Sequence, residues 1–270
     1  MEKENIAFIY KKKCHPVTQA FADAIDAQPY KITGPLNAVW QGIRTPTYKS
    51  YFVESVLSML LPITKRILGK KATIIFRGND GLFGETETTA YLATQNPIKK
   101  QILLFLIRHM DAISVEAEPQ KAEVREWTKV PVEVCESYVE NKELLEKIKP
   151  NQKTNTFLFI GAYRPPYDHK GIERMISLFN NDKMQEYKLI IIGKETEKLK
   201  QRAGKNIEIL DFVEDKEEYY KKATYYIHLP KYEAGPITVL EAMTAGLIVI
   251  TNTNAGHHNI IKNKDLILDA

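Results

Sequence analysis

The chain has 270 residues, of which 44% are apolar and 27% charged, with 13 Gly and 13 Pro. This excludes mini-proteins, collagenous chains and disordered tracts, and it corresponds to just under two ordinary globular domains with a real core. The formal net charge of +4 is unevenly spread. Residues 1–130 hold 18 Lys and Arg against 13 Asp and Glu, whereas residues 131–270 hold 20 against 21. With no Arg-rich cluster, the basic half is either ordinary surface scatter or a weak patch for an acidic partner or a membrane surface, and not a nucleic-acid footprint.

In chain order, short β-rich runs alternate with amphipathic helical stretches, the mark of α/β architecture with parallel strands. The first half predicts strands at 6–10, 38–40, 72–76 and 112–115. Helices are predicted at 17–27, 48–68 (kinked at Pro62) and 98–110. The apolar face and basic ends of 48–71 fit either a core helix or one lying on a membrane. A polar stretch follows, with Pro150, Asn151, Gln152 and Asn155, and residues 135–155 read as a linker between domains 1–134 and 156–270. The second half predicts strands at 156–160, 188–192, 207–210, 225–229 and 247–251, with helices at 171–178, 195–203, 217–223 and 237–245.

No apolar run approaches the ~20 residues of a membrane helix. The first residues lack the order of a secretory signal, so the expected location is the cytoplasm, extending to the membrane periphery. Cys14 and Cys135 are too far apart for a metal or redox motif, and the histidines lack ligand spacing. Neither a G-x-G-x-x-G fingerprint nor a Walker loop is present.

Chemistry concentrates between Lys231 and Gly246. A strand ends near Leu229, Glu233 sits in the following loop, and Gly235–Pro236 introduce a helix that reaches Glu241. Free amides at Ile237 and Thr238, with the Thr238 hydroxyl nearby, suit a phosphate or diphosphate, and Gly235 permits close approach. Helical side chains lean toward the N-terminus, so Glu241 can reach a hydroxyl-bearing group joined to that phosphate, and Glu233 one on its far side. A nucleotide sugar has this order of ribose, diphosphate and hexose. Upstream, the strand at 156–160 ends at Gly161, and Lys170–Gly171 open the next helix.

The run from Glu233 to Glu241, Glu-Ala-Gly-Pro-Ile-Thr-Val-Leu-Glu, resembles the donor-site motif of retaining glycosyltransferases of family 4 (glycosyltransferase group 1). Gly161, Lys170–Gly171, Gly193 and Asn254–Gly256 match further family elements in order and spacing. The resemblance covers residues of about 130–266 well and the first half in outline. It implies the GT-B fold: two Rossmann-like α/β lobes, with a short N-terminal acceptor-side lobe, a C-terminally abbreviated donor lobe and an acceptor cleft between them. It also implies a hexosyltransferase using a UDP- or GDP-sugar, with retention of configuration. Glu241 is then expected on the donor ribose, Glu233 on the transferred sugar, Gly235, Pro236, Ile237 and Thr238 around the phosphates, and Lys170 on the leaving diphosphate beside Gly161.

The sequence departs from the family pattern at several places. Ala162 stands where the family arginine follows the glycine, and Arg164, two residues on, either replaces it or leaves that charge missing. The family's glycine pair and histidine are absent from the first half, where His15, Arg77, Asn79 and Asp80 are the candidates for the acceptor side. No Asp-x-Asp occurs, so no cofactor and no metal are expected. The acceptor is a sugar, a lipid-linked group or a protein, and homo-oligomerisation is compatible with the reading. A non-catalytic nucleotide-sugar-binding scaffold and a nucleotide-sugar epimerase of similar fold are its rivals.

Overall fold

The computed structural model describes residues 5–11, 16–77, 96–151, 153–165 and 168–269. His15, Asn79 and Asp80 lie outside them. The chain divides into two compact units, Met1–Tyr138 and Val139–Ala270.

In the first unit, β1 (Ile6–Lys11), β2 (Gln28–Ile32), β3 (Ser50–Val53), β4 (Thr73–Arg77), β5 (Ala112–Val115) and β6 (Val132–Val134) form a parallel sheet in the order β2-β1-β3-β4-β5-β6. Its core takes Ala7 and Ile9 from β1, Tyr51 and Val53 from β3, Ile74 and Phe76 from β4, and Ile113 and Val115 from β5. This alternation places one face of the sheet against the helices that connect the strands.

Two predicted elements of this unit are replaced. Residues 38–40 are helical, inside Pro35–Arg44. Pro35 starts that helix, Ala38 and Gly42 turn inward four residues apart, and the β-prone Val39 and Trp40 point out. The predicted helix over 48–68 begins instead with β3, passes through a 3₁₀ turn at Val56–Met59 and becomes helical only at Leu60–Ile67. Ser55 caps the turn by accepting a hydrogen bond from the Ser58 amide at 3.3 Å. Pro62 falls in the first helical turn, where the amide it lacks has no intrahelical acceptor. Val56 and Met59 are buried and Ile63 packs on the same core, so most of the apolar face of 48–71 is interior. Strands β2 and β6 and the helix Glu118–Trp127 have no counterpart among the predicted elements.

The second unit holds β7 (Thr156–Ile160), β8 (Lys188–Ile192), β9 (Ile207–Leu210), β10 (Tyr225–His228), β11 (Ile248–Asn252) and β12 (Ile267–Leu268), all parallel, in the order β12-β11-β10-β7-β8-β9. Four consecutive residues of β7 and four of β8 are buried. Both faces are covered, with Leu158, Ile160, Ile190 and Ile192 in one core and Phe157, Phe159, Leu189 and Ile191 in the other. Helices occupy Ile172–Phe179, Glu217–Lys222 and Ile237–Thr244, while the expected helix at 195–203 is a 3₁₀ segment, Thr196–Arg202.

Most of the expected linker is structural. Leu145 and Ile148, three residues apart, are buried in the second unit's core. The Asn151 carbonyl accepts the Thr224 hydroxyl at 2.5 Å, and its amide donates to the Lys221 carbonyl at 3.0 Å. Polar residues around those apolar positions form a surface over packed chain. Among the described residues, no helix is long and apolar enough to cross a membrane.

Candidate functional site

Strand order places the site. From β7 the chain moves outward through β8 and β9, then returns to the other side of β7 with β10, followed by β11 and β12. Strand order therefore reverses between β7 and β10, which pair in register at Tyr225 with Phe157 and Tyr226 with Leu158. In open parallel sheets the loops leaving the strands' carboxyl ends diverge at such a point and open a crevice. The two loops here carry Gly161–Gly171 and Leu229–Pro236.

The β7 loop is anchored by Asp168, which is buried. Its Oδ1 accepts the Ile172 amide and its Oδ2 the Glu173 amide, both at 2.8 Å. One carboxylate thus satisfies two otherwise unpaired amides of the helix Ile172–Phe179 and places a negative charge at its positive end. Gly171 precedes that helix at φ +72°, and a Cβ there would lie 1.8 Å from the Leu229 carbonyl oxygen. Only glycine lets the β7 loop come this close to the backbone leaving β10. The Lys231 amide donates to the His169 carbonyl at 2.8 Å and ties the two loops directly.

This fixes Lys170 against Glu233. Lys170 Nζ donates to Glu233 Oε1 in an ion pair, although 63 residues separate them in sequence. A Cβ at Gly161 would stand 3.0 Å from Lys170 Cδ and 2.7 Å from the Phe159 ring, so glycine makes room for the lysine stem. Glu233 is only 9% exposed. Its amide donates to the Asn254 carbonyl at 3.1 Å, and its carbonyl accepts the Gly256 amide at 2.8 Å. Its Oε2 lies 2.8 Å from Nε2 of His228, a fully buried imidazole stacked on Phe159 with ring centroids 5.8 Å apart. That approach lacks hydrogen-bond geometry, and neither atom has another hydrogen-bond partner among the described residues. Burial pushes the Glu233 carboxyl up, but the His228 imidazole and then Lys170 outweigh it and hold the group well below the usual carboxylate range.

Gly235 and Pro236 are buried, Ile237 and Thr238 partly so. The helix Ile237–Thr244 starts without a side-chain cap, which leaves the amides at its start as donors. Further along, Glu241 accepts the Tyr220 hydroxyl at 3.0 Å on Oε2, and Lys216 Nζ lies 3.8 Å from the same atom. Burial, with the Glu241 charge added, raises the Tyr220 phenol far above its ordinary value. It stays a donor and orients the carboxylate.

The structure therefore brings Gly161, Lys170 and Glu233 together and sets Gly235–Glu241 in the same loop and helix. Arg164 is exposed on the β7 loop, without an ion-pair partner among the described residues. In the first unit Arg77 is buried at the end of β4, its guanidinium 4.6 Å from the Phe21 ring centroid and 3.9 Å from Glu116 Oε1. Sequence reasoning missed Asp168, His228 and Tyr220. Asp168 alone had a readable signal, an acid four residues before a helical pattern. No group of three or more His, Cys, Asp and Glu able to hold a metal ion occurs among the described residues.

Residues 140–269 match the family model described as glycosyl transferases group 1. Among solved structures, the chain resembles Anabaena Alr3699/HepE in complex with UDP and glucose, with a TM-score of 0.71 and 11% identity over 96% of this chain and 83% of that one. It also resembles the apo form of the lipopolysaccharide outer core galactosyltransferase WaaB, with a TM-score of 0.70 and 15% identity over 96% and 83%. A trehalose-6-phosphate synthase studied with bisubstrate glycomimetics aligns with a TM-score of 0.70 and 10% identity over 98% and 87%. Likenesses at this identity show the fold. No curated protein matches the sequence.

Proposed function

We propose, for a chain of GT-B fold whose residues 140–269 match the glycosyl transferases group 1 family model, that it moves a hexose from a UDP- or GDP-sugar to an acceptor hydroxyl with retention of configuration and without a metal. The observation that carries this reading is the meeting of Lys170 and Glu233 where β7 and β10 part, beside the uncapped start of the helix that bears Glu241. A cation, a helix N-terminus and two carboxylates in that order match the diphosphate, hexose and ribose of a nucleotide sugar. Alr3699/HepE, a solved structure of similar fold, was determined with UDP and glucose, which supports the uridine form of the donor.

In this reading the bond from the anomeric carbon to the diphosphate oxygen breaks as negative charge gathers on the diphosphate. Lys170 and the amides of Ile237 and Thr238 stabilise that charge, and such electrostatic stabilisation is the main source of rate. Lys170 rests on Glu233 before the donor arrives. The incoming diphosphate draws the ammonium away and frees Glu233 Oε1 to accept a sugar hydroxyl. Glu241, oriented by Tyr220, accepts from the ribose. The absence of any Asp-x-Asp supports metal independence. Arg164, exposed on the β7 loop, is a second candidate cation for the diphosphate.

The experiment screens UDP- and GDP-sugars by thermal shift, then measures nucleotide release with candidate acceptors in EDTA and reads the product anomer by NMR. Donor binding with nucleotide release in EDTA and a retained anomer is expected. Donor binding unchanged in Glu241→Ala would overturn the site. Binding without release on any acceptor would make the chain a scaffold, and epimer formation without release an epimerase.

A further inference from the structure

The helix Pro35–Arg44 is inside out by the usual standard. Its inward positions are the small Ala38 and Gly42, and Gly42 sits so close to the neighbouring helix that a Cβ would meet the Thr64 side chain at 2.7 Å and the Leu61 carbonyl at 2.8 Å. That contact fixes the helix's rotation. Leu36, Val39, Trp40 and Ile43, at spacings of three and four, are consequently held outward, with Leu36 87%, Trp40 51% and Ile43 52% exposed. Large apolar side chains are exposed singly in most proteins, but a helical stripe of them signals a surface that something covers.

Charge indicates what covers it. From residue 28 to residue 72 the chain has seven Lys and Arg and one acid, Glu54. Two of the seven are engaged inside the unit: Lys65 is buried and donates to the Thr45 carbonyl, and Arg66 pairs with Asp111. The other five, Lys31, Arg44, Lys49, Lys70 and Lys71, are exposed and have no acidic partner among the described residues. Arg44 lies over the Trp40 ring at 4.2 Å. Lys31 is tied to the helix through its carbonyl, which accepts from Gln41 at 2.9 Å. The adjoining helix Leu60–Ile67 ends in an exposed Ile67, followed by exposed Leu68, Lys70 and Lys71.

We infer that the outer face of the helix Pro35–Arg44 docks the first unit on the surface of an anionic lipid bilayer. Leu36, Trp40 and Ile43 enter the boundary between headgroups and acyl chains. The unpaired lysines and Arg44 meet acidic headgroups, and Trp40 suits that boundary because its ring is apolar with one polar edge. A second copy of the chain is the poorer occupant, since a two-fold contact would set the same cations against one another. The face belongs to the first unit and the proposed donor residues to the second, and its test uses no nucleotide sugar, so either reading can fail without the other.

The test is co-sedimentation of the full chain with phosphatidylcholine vesicles, with and without phosphatidylglycerol, at low and high salt. Partitioning about ten-fold stronger onto the anionic vesicles, and weakened by salt, is expected. The double variant Leu36→Asp, Ile43→Asp should lose about ten-fold of that binding. Both side chains point to solvent, so its thermal melt should match the parent. Lys70→Glu with Lys71→Glu keeps the test decisive if the first variant does not fold, and it should weaken only the anionic binding. In a Trp127→Phe background, Trp40 emission should shift to the blue on anionic vesicles. No partitioning at low salt, equal partitioning onto both vesicles, or binding unmoved by either variant would overturn the proposal. So would self-association in sedimentation that Leu36→Asp, Ile43→Asp abolishes, which would assign the face to a second copy.

Discussion

Glu233 is the residue on which the site's electrostatics turn. It is buried, paired with Lys170 and faced by His228, and its carboxyl is held below the usual range. A carboxyl depressed in the folded state stabilises the fold in full above its unfolded value of about 4.3, and this is lost as pH falls below that toward the folded value. Glu233→Gln removes the charge and leaves Lys170 and His228 facing a neutral amide. Denaturant titrations should show a loss of about 3 kcal/mol near neutrality, with the gap to the parent narrowing below a pH of about 4. A gap that stays constant into acid would mean that the carboxylate's charge does not stabilise the fold. Tyr220 makes a quieter contribution through its hydroxyl on Glu241. Tyr220→Phe keeps the ring and drops the donor, worth about 1 kcal/mol. Calorimetry with the nucleotide sugar should then show affinity about five-fold weaker, and an unchanged affinity would remove Tyr220 from the site.

Two loops and two helices hold these side chains, and the β7 loop depends on Asp168. Its carboxylate takes both the Ile172 and Glu173 amides, so the start of the helix Ile172–Phe179 and the backbone of Lys170 are set together. Asp168→Ala should lower stability by about 1–2 kcal/mol, seen as a lower midpoint in thermal melts. Donor affinity should fall as well, because Lys170 loses its fixed approach to Glu233. Asp168→Asn can still accept one amide and should fall between the two. A variant as unstable as Asp168→Ala that nevertheless binds donor like the parent would confine Asp168 to capping. The loop after β10 is held differently, by Asn252 Nδ2 donating to the Pro230 carbonyl at 2.9 Å and by the backbone bonds of Glu233 to Asn254 and Gly256.

Over the whole molecule, the two units are built alike. Each has its own parallel sheet and its own buried core, and every residue of the proposed donor site lies between Gly161 and Gly256, inside the second. A fragment of residues 139–270 should therefore melt cooperatively and bind UDP, whereas residues 1–138 should not bind it. Starting the fragment at 156, where a linker reading of 135–155 would cut, removes Leu145 and Ile148 from the core and should lower the midpoint or prevent folding. Equal stability of the two fragments would show that this segment contributes nothing to the second unit.

Much of the second unit was legible from residue order because its central strands are buried on both faces. Sequences such as Leu189–Ile192 must then be apolar throughout, and no other element of that length demands it. The spacing of Glu233, Pro236 and Glu241 was legible for a similar reason, since a proline start and a helical rise are local properties. Edge strands were not. Only Ile32 of β2 is buried, so pairing along one side of β1, and not a hydrophobic pattern, makes that segment a strand. Residues 38–40 misled because the β-prone Val39 and Trp40 suggest a strand when read as a short run, whereas the helical spacing of Leu36, Val39, Trp40 and Ile43 shows only over a longer window and lies on the outer face of the helix. The sequence by itself determined the α/β class, the strands that need two covered faces and the local frame of the loop and helix from Glu233 to Glu241. Only the tertiary structure decided that Lys170 would rest on Glu233, that His228 would be buried against it and that Arg77 would turn to Phe21 and Glu116. The Lys170 and Arg77 pairings join segments tens of residues apart, and strand order, which no local pattern encodes, brings such segments to the same end of a sheet.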